Sequence, residues 1–296
     1  MSRRSRADPG VNGLAVVDKP AGWTSHDVVA RCRKLLGTPK VGHSGTLDPG
    51  ATGILLVGAG NTTRLLRFLG DLPKTYVGEV VLGATTTTLD DEGEVVATFV
   101  MDGVTLAAAE AASVALRGDI QQVPPMVSAV QVGGKRLHEL ARQGIEVERE
   151  PRSVTVHSLA LEATSEPGVL RMTVTCSSGT YVRVLAADLG VLLGGGAHLR
   201  RLRRTAIGPF DEEAATQLDE IGPESLAPPL AAVAHLARVW VGEEAAADVR
   251  HGKVLPTWEG EGPWAVTGPE GTLLAVYESY RPGLAKPAVV LPVLAS

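Results

Sequence analysis

Runs of apolar residues and helically spaced apolar residues divide this chain into predicted strands and helices. Short apolar runs bounded by Gly, Pro or Asn are typical of strands. The predicted strands lie at 13–17, 54–57, 76–82, 94–100, 126–132, 154–163 and 169–176. A further, arginine-rich strand is predicted after the last helix and ends at about residue 207. Apolar residues spaced three and four apart predict helices. The predicted helices run from Ser25 to Gly37, from Asn61 or Thr62 to Leu69, and over 105–116, 137–141 and 184–193.

The order of these elements indicates the fold class. Strands and helices do not alternate strictly, as they would in a doubly wound parallel sheet. We therefore predict an α/β (α+β) fold in which helices flank a mixed, mostly antiparallel sheet. From about Arg238 onward, short strands separated by Gly and Pro predict a small β-rich module. The predicted domains are a flexible tail at 1–10, a large domain at 11–230 and a C-terminal module at 236–296.

Composition narrows the class of protein. Of the 296 residues, 44% are apolar and 21% are charged, which is typical of a globular protein. No apolar run reaches the roughly 18–20 residues that span a membrane. The short basic start has no apolar run behind it, so we expect a frayed tail rather than a signal peptide, and a cytoplasmic protein. Cys32 and Cys176 lack metal-binding spacing and are predicted to be buried packing thiols.

The distribution of charge along the chain is compatible with a nucleic-acid partner. The net charge of −5 argues mildly against one, but binding depends on local patches rather than on the total. Residues 198–205 carry four arginines and no acid, and further cations cluster at 31–34 and 64–67. Each cluster by itself is typical of a solvated face. Several of them in one acidic chain make a polyanionic partner plausible.

A glycine-rich loop at 42–53 carries the candidate chemistry. Its side chains with acid–base chemistry are His43 and Asp48. A carboxylate at the mouth of a strand suits catalysis, whereas an Asp-Pro turn beside a surface histidine is the structural alternative. Residues 37–44 nearly match a phosphate-binding loop, but His43 replaces the required lysine, so that motif is rejected. A third metal ligand is missing, and we predict neither a metal nor a cofactor.

Four separated segments form one pattern: Asp18–Ser25, Gly42–Gly53, Lys74-x-Tyr76 with Leu82-Gly83 and Asp90, and Ser178–Arg183 with Gly196–His198 and Leu202–Arg204. Together these segments resemble the TruB family of tRNA pseudouridine synthases. The match runs from residue 13 to about residue 210. The tail is shorter than the PUA-type RNA-binding module found in the family and resembles its actinobacterial version.

The resemblance implies an enzyme that converts uridine 55 in the T-loop of tRNA to pseudouridine without a cofactor. It makes Asp48 the carboxylate that either adds to C1′ of the ribose or removes the C2′ proton, and both routes stay open. Arg183 is expected to hold both oxygens of Asp48, which a lysine would not reproduce. Tyr76 is expected to stack on the flipped uracil and is implicated in taking the C5 proton.

The resemblance also implies how the uridine is held. Tyr181 is expected to pack beside the base. His43 is expected to shape the site of the flipped nucleotide, and Leu202 to contact uracil through its backbone. Lys19 is expected to brace the catalytic loop rather than to take part in the chemistry.

Outside the uridine site, Arg203 and Arg204 are expected to meet RNA phosphates. The predicted partner is the T-arm of tRNA, bound by a monomer that does not associate with a membrane. Two alternatives stay open at this point. One is a tRNA-folding chaperone or RNA-binding scaffold, and the other is a pseudouridine synthase that acts on another RNA.

Overall fold

The computed structural model describes residues 10–128, 131–132, 134–137 and 143–292. The strands are β1 Gly13–Lys19, β2 Val41–Ser44, β3 Thr52–Ala59, β4 Lys74–Leu82, β5 Ala84–Thr86, β6 Val95–Thr98, β7 Gly118–Gln122, β8 Gln131–Val132, β9 Lys135–Arg136, β10 Arg152–Ala163, β11 Val169–Cys176, β12 Ala197–Ile207, β13 Phe210–Asp211, β14 Thr216–Gln217, β15 Ala237–Trp240, β16 Leu255–Pro256, β17 Trp264–Thr267, β18 Leu273–Arg281 and β19 Leu284–Val290.

The α-helices are α1 Ser25–Leu35, α2 Leu106–Ser113, α3 Val182–Leu192 and α4 Glu243–Arg250. Short 3₁₀ helices cover Gly60–Leu69, Val114–Leu116, Glu212–Ala214, Leu218–Glu220, Pro223–Ser225 and Pro229–Val233. Over the residues described, none of these helices is long and apolar enough to cross a membrane.

The chain divides into two compact units. The terminal unit comprises the described residues up to Asp48, then Leu55–Gly70, and then Glu213 onward. The central unit comprises Pro49–Ile54 and Asp71–Glu212.

In the terminal unit, α1 packs against β2. β1 pairs in parallel with β14, and β2 pairs antiparallel with the end of β3, where His43 lies opposite Val57. Thr24 caps α1 through a capping box with Asp27, because the Thr24 side chain accepts from the Asp27 N–H and the Asp27 carboxylate accepts from the Thr24 N–H. The shared core consists of Ala15, Val17, Val28, Val29, Cys32, Leu36, Val41, Leu55, Val57, Ala59, Leu218 and Ile221.

The last part of the terminal unit is a five-stranded sheet in the order β15-β17-β18-β19-β16. Its core includes Trp264 and Tyr277, both almost fully buried. Ala246 and Val249 of α4 belong to the same core. Acidic residues in the first turn of α4 suit the positive end of the helix dipole.

The central unit is built on an antiparallel run of strands in the order β12-β4-β11-β10-β7. The start of β3 joins β12 in parallel, with Thr52 opposite Arg203. On β4, Tyr76 lies between Val174 of β11 and Arg204 of β12. Helix α3 packs on β12, and α2 packs on β10.

The predicted fold class is confirmed, since both units combine helices with a sheet whose strand pairs are mostly antiparallel. The β-rich C-terminal module is present as well. The two cysteines are buried free thiols, and burial raises the pKa of each to about 11, so their predicted packing role is confirmed.

Several predicted elements differ from the structure. Thr24 rather than Ser25 caps α1. The segment after Ala59 is a 3₁₀ helix whose cap makes no side-chain hydrogen bond, so neither Asn61 nor Thr62 caps it. The predicted loop at 42–53 begins with a strand, because its first residues pair with β3. The run at 94–100 is shorter, and it pairs with β5 as a separate hairpin.

Strand β7 and helix α4 are among the elements that have no counterpart in the prediction. Strand β7 lacks apolar alternation and forms because its backbone pairs with β10, which local periodicity does not report. Helix α4 is only eight residues long, and its alanines were not recognised as a helical stripe. Residues 138–141 of the predicted helix at 137–141 and residues 1–9 of the predicted tail at 1–10 lie outside the described residues.

Candidate active site

The loop that carries Asp48 is held at the residue before it. The Ser25 Oγ accepts a hydrogen bond from the Leu47 N–H at 3.0 Å and donates one to the Leu47 carbonyl oxygen at 3.3 Å. Ser25 is fully buried, and Leu47 is 4% exposed. One hydroxyl therefore satisfies both backbone groups of Leu47, which fixes the chain where the carboxylate emerges.

Lys19 closes the turn between β1 and α1. Its ammonium group donates to the carbonyl oxygens of Pro20 at 3.0 Å and Trp23 at 2.7 Å, and its side chain is fully buried. A buried lysine that is bound by main-chain carbonyls stiffens a turn. These contacts support the bracing role predicted for Lys19, which stays a prediction with respect to the catalytic loop.

His43 lies on β2 rather than on a loop. Its ring meets the His26 ring edge to face, with 5.5 Å between the ring centroids and 85° between the ring planes. Strand pairing on one side and this ring contact on the other limit the orientation of the imidazole. Its predicted role at the flipped nucleotide stays a prediction.

In the central unit, Tyr76 lies beside a buried guanidinium. The Arg204 Cζ is 6.0 Å from the centroid of the Tyr76 ring, which is within the range of a cation–π contact. The Arg204 Nε donates to the Ile54 carbonyl oxygen at 2.7 Å, and the Arg204 side chain is fully buried. Gly53, at a φ of +97°, lets the two strands approach, because a Cβ there would lie 2.2 Å from the Arg204 carbonyl oxygen.

This placement corrects the expectation for Arg204. A fully buried guanidinium that binds a main-chain carbonyl is not positioned to meet a phosphate. The Arg203 Nε donates to the Glu212 carboxylate at 2.5 Å, and its side chain is 35% exposed. Its predicted phosphate contact stays a prediction.

The other two arginines of this strand are paired with acids. Arg200 donates to Glu79 at 2.7 Å and to both carboxylate oxygens of Glu166, at 2.6 and 3.2 Å. The hydrogen bond to Glu166, followed by that to Glu79, raises the pKa of Arg200 above its usual value. The exposed Arg201 donates to Glu79 at 3.1 Å. Much of the basic cluster at 198–205 is thus neutralised within the fold.

Leu202 lies at a β-bulge. Arg200 pairs with Glu79 and Arg203 with Val77, so Arg201 and Leu202 together face the single residue between those partners. Arg201 has a φ of +54°, which is uncommon for a residue with a side chain. A bulge leaves one residue outside the ladder, and bulges are frequent next to active sites. The geometry supports the predicted backbone contact of Leu202 with a base.

Arg183 is buried and tied to two segments. It lies in the first turn of α3, and its side chain is 5% exposed. Its Nη1 donates to the Thr88 carbonyl oxygen at 3.0 Å and lies 3.5 Å from the Asp90 carboxylate. Its Nη2 donates to the Val127 carbonyl oxygen at 3.0 Å. These contacts engage at most three of the five guanidinium N–H groups, so a further carboxylate partner is compatible with them.

The residue at the start of α3 is also held by a side chain. Tyr181 is the N-cap residue and makes no side-chain cap. The Gln122 Oε1 accepts from the Tyr181 N–H at 2.9 Å, and the Gln122 Nε2 donates to the Tyr181 carbonyl oxygen at 3.3 Å. Gln122 was not among the predicted site residues. In the sequence it is marked only as a polar residue directly before Val123-Pro124-Pro125, which is a weak signal.

Asp48 belongs to the terminal unit, whereas Tyr76 and Arg183 belong to the central unit. The pairing of Asp48 with Arg183 therefore stays a prediction. Among the residues described, no three His, Cys, Asp or Glu side chains are grouped so that they could hold a metal ion.

Three family models match the chain. A model described as the N-terminal domain of the TruB family of pseudouridylate synthases matches residues 33–182. The chain belongs to the TruB family. Two further models, described as the tRNA pseudouridylate synthase B C-terminal domain and as tRNA pseudouridine synthase II, C terminal, match residues 183–226 and 236–292. The resemblance inferred from the motifs is confirmed, and the chain is a pseudouridylate synthase.

Relatives of this TruB chain are similar over nearly their whole length. The tRNA pseudouridine synthase B of Thermobifida fusca (strain YX) is 47% identical, over 94% of this chain and 98% of its own. That of Rhodococcus jostii (strain RHA1) is 46% identical, over 94% of each chain. Among solved structures, a Cbf5-Nop10-Gar1 complex contains a chain that is 28% identical with a TM-score of 0.73, covering 96% of this chain and 85% of that one.

Proposed function

We propose that this protein isomerises uridine 55 in the T-loop of tRNA to pseudouridine. The observation that carries the proposal is the likeness to proteins named tRNA pseudouridine synthase B at up to 47% identity over 94% of the chain. The family model that matches residues 33–182 spans the Gly42–Gly53 loop, which carries Asp48. The reaction breaks the N1–C1′ bond, joins C5 to C1′ and moves the C5 proton away, so it needs no electron donor.

Asp48 is the catalytic carboxylate in this proposal. An aspartate has an ordinary pKa of about 3.9, so it is ionised at neutral pH unless burial opposes it. Its carboxylate either adds to C1′ or removes the C2′ proton, and both routes leave the uracil free to turn. The buried Ser25 contact to Leu47 supports this role, because a reacting group needs a fixed backbone.

Arg183 supplies the positive charge that keeps Asp48 ionised in a site from which water is excluded. A guanidinium is suited to this role because its planar fork can bind both carboxylate oxygens, whereas an ammonium group is a point charge. Its contacts with Thr88, Asp90 and Val127 hold the group in one orientation.

Tyr76 and Tyr181 receive the flipped base. Extruding a uridine costs a few kcal/mol, and stacking on an aromatic ring returns about 1–3 kcal/mol per base. Tyr76 is held from one side by the Arg204 guanidinium, which makes Arg204 a support of the stacking ring. The bulge at Leu202 offers main-chain groups to the uracil edge, and His43 borders the nucleotide.

We also propose that the chain consists of a catalytic domain at 11–230 and a C-terminal RNA-binding module at 236–296. Tyr280 is 44% exposed, and its ring has Arg281 Cζ at 4.9 Å and Lys286 Nζ at 5.1 Å from its centroid. An exposed aromatic ring close to two cations suits stacking on a base next to phosphates. The protein would act as a monomer in the cytoplasm, and Arg203 would add a phosphate contact.

The experiment is pseudouridine mapping on defined RNA. Purified protein is incubated with an unmodified tRNA transcript and with the same transcript carrying cytidine at position 55, and pseudouridine is located by chemical mapping. We expect one new pseudouridine, at position 55, in the first transcript alone. Modification elsewhere, or only in ribosomal RNA, would favour the alternative of another RNA target. Absence of product with tight tRNA binding would favour the chaperone alternative.

A further inference from the structure

Gln122 is the last residue of β7 and is 2% exposed. Both ends of its carboxamide bind one residue, because Oε1 accepts from the Tyr181 N–H and Nε2 donates to the Tyr181 carbonyl oxygen. The two residues are 59 positions apart. A pair of hydrogen bonds to the two backbone groups of one residue limits both translation and rotation of that backbone.

The residue held in this way begins α3. The Tyr181 carbonyl oxygen also accepts from Val184 N at 3.0 Å and from Leu185 N at 3.2 Å, so the first turn of the helix is built on it. The Tyr181 side chain does not cap the helix, and Gln122 binds the backbone of this N-cap residue instead. Fixing this backbone sets the direction of the Tyr181 ring and, two residues later, of Arg183.

The segment that follows Gln122 then reaches the guanidinium itself. Five residues further along, the Val127 carbonyl oxygen accepts from the Arg183 Nη2 at 3.0 Å. One stretch of chain thus binds both the backbone from which Arg183 extends and the end of its side chain. A change at Gln122 is therefore expected to disturb both the backbone that carries Arg183 and the position of its guanidinium group.

We propose that Gln122 is a positioning residue for the isomerisation, acting through Tyr181 and Arg183 without touching the RNA. This inference rests on the proposed function, since the two residues it positions are those assigned to the base and to Asp48. Because Gln122 is buried and binds only main-chain groups in its described contacts, its loss is expected to slow the reaction and to leave RNA affinity nearly unchanged.

The test compares Gln122→Met with Gln121→Met. Methionine keeps the volume and removes both hydrogen bonds. Gln121 is the neighbour on the same strand, and its carboxamide donates to the exposed Ser153 Oγ at 2.7 Å, so its variant is a matched control. Gln122→Glu is a second variant, which keeps the acceptor for the Tyr181 N–H. For each protein we measure the single-turnover rate of pseudouridine formation, the Kd for tRNA and the hydrogen exchange of a peptide covering 177–185.

We expect the Gln122→Met rate to fall at least tenfold with the Kd changed by less than threefold, faster exchange in the peptide, and a smaller loss of rate in Gln122→Glu. Gln121→Met should match the wild type in all three measurements. An unchanged rate in Gln122→Met, or a loss of rate explained by weaker tRNA binding, would overturn the proposal. If the wild type forms no pseudouridine, the proposed function fails, and unchanged exchange in Gln122→Met would then reject the structural part separately.

Discussion

The Asp48 loop in the terminal unit and the Arg183 helix start in the central unit are anchored by the same kind of contact. In each, one buried polar side chain binds both the N–H and the carbonyl oxygen of a backbone residue, Ser25 at Leu47 and Gln122 at Tyr181. The partners are 22 residues apart in the first case and 59 in the second. Both anchors act beside the residue assigned to the chemistry rather than on it.

The two regions differ in what else supports them. The carboxylate emerges from an irregular loop whose main chain is anchored at Leu47 by Ser25. The guanidinium extends from a helix and is bound by Thr88, Asp90 and Val127 in addition. The Ser25 anchor thus acts on the main chain next to Asp48, whereas Arg183 is held both near its backbone and at the end of its side chain.

The largest effect is expected from Asp48→Asn. The amide keeps the shape of the side chain and loses the charge and nucleophilicity, so pseudouridine formation should fall by roughly 10³-fold or more. Binding of tRNA, measured by filter retention, should stay within a factor of a few. Turnover near that of the wild type would show that Asp48 is not the reacting group.

Arg183→Lys is expected to have the next largest effect. An ammonium group cannot reproduce the fork, and the carbonyl oxygens of Thr88 and Val127 lose their guanidinium hydrogen bonds, which should cost about 1 kcal/mol for each bond lost. Urea unfolding should report this loss, and the single-turnover rate should fall roughly 10²-fold. Arg200→Lys is the control, because its ion pairs with Glu79 and Glu166 are partly exposed and worth little. Equal losses in both variants would contradict the assignment.

Ser25→Ala tests the loop side of the comparison. It leaves both backbone groups of Leu47 without the hydroxyl, which should reduce the free energy of unfolding by about 1–3 kcal/mol and the reaction rate by roughly tenfold. Thr24→Ala is the matched control, because it removes the N-cap of α1 at the preceding residue and should reduce the free energy of unfolding by about 1 kcal/mol. The control should lose stability but not rate. A similar loss of rate in both variants would mean that Ser25 acts only through stability.

The smallest effect concerns the C-terminal module. Lys286→Gln removes one of the cations beside Tyr280 and should lower the slope of log K against log salt for tRNA binding by roughly 0.7–0.9. Lys253→Gln should leave the slope unchanged, because that ammonium is paired with Asp248 at 2.6 Å. Identical slopes for Lys286→Gln and the wild type would remove this surface from the RNA interface.

Family, fold class and most of the long elements could be predicted from the residues alone. Strands β10 and β11, helix α3 and the loop before β3 follow from periodicity and turn residues, which are local properties. The catalytic assignments of Asp48 and Arg183 follow from motifs and remain to be tested. Strand β7 was missed because its stability comes from pairing with β10.

The surroundings of each arginine on β12 could be known only from the folded chain. In the sequence, residues 200–204 are one basic cluster. In the fold, Arg200 and Arg201 bind acids from other elements, Arg203 binds Glu212, and Arg204 is buried below Tyr76. The physical reason is that strand alternation and a bulge direct neighbouring side chains to different surroundings, whose partners are distant in the chain. The hydrogen bonds of Ser25 to Leu47 and of Gln122 to Tyr181 likewise join residues that are distant in the chain.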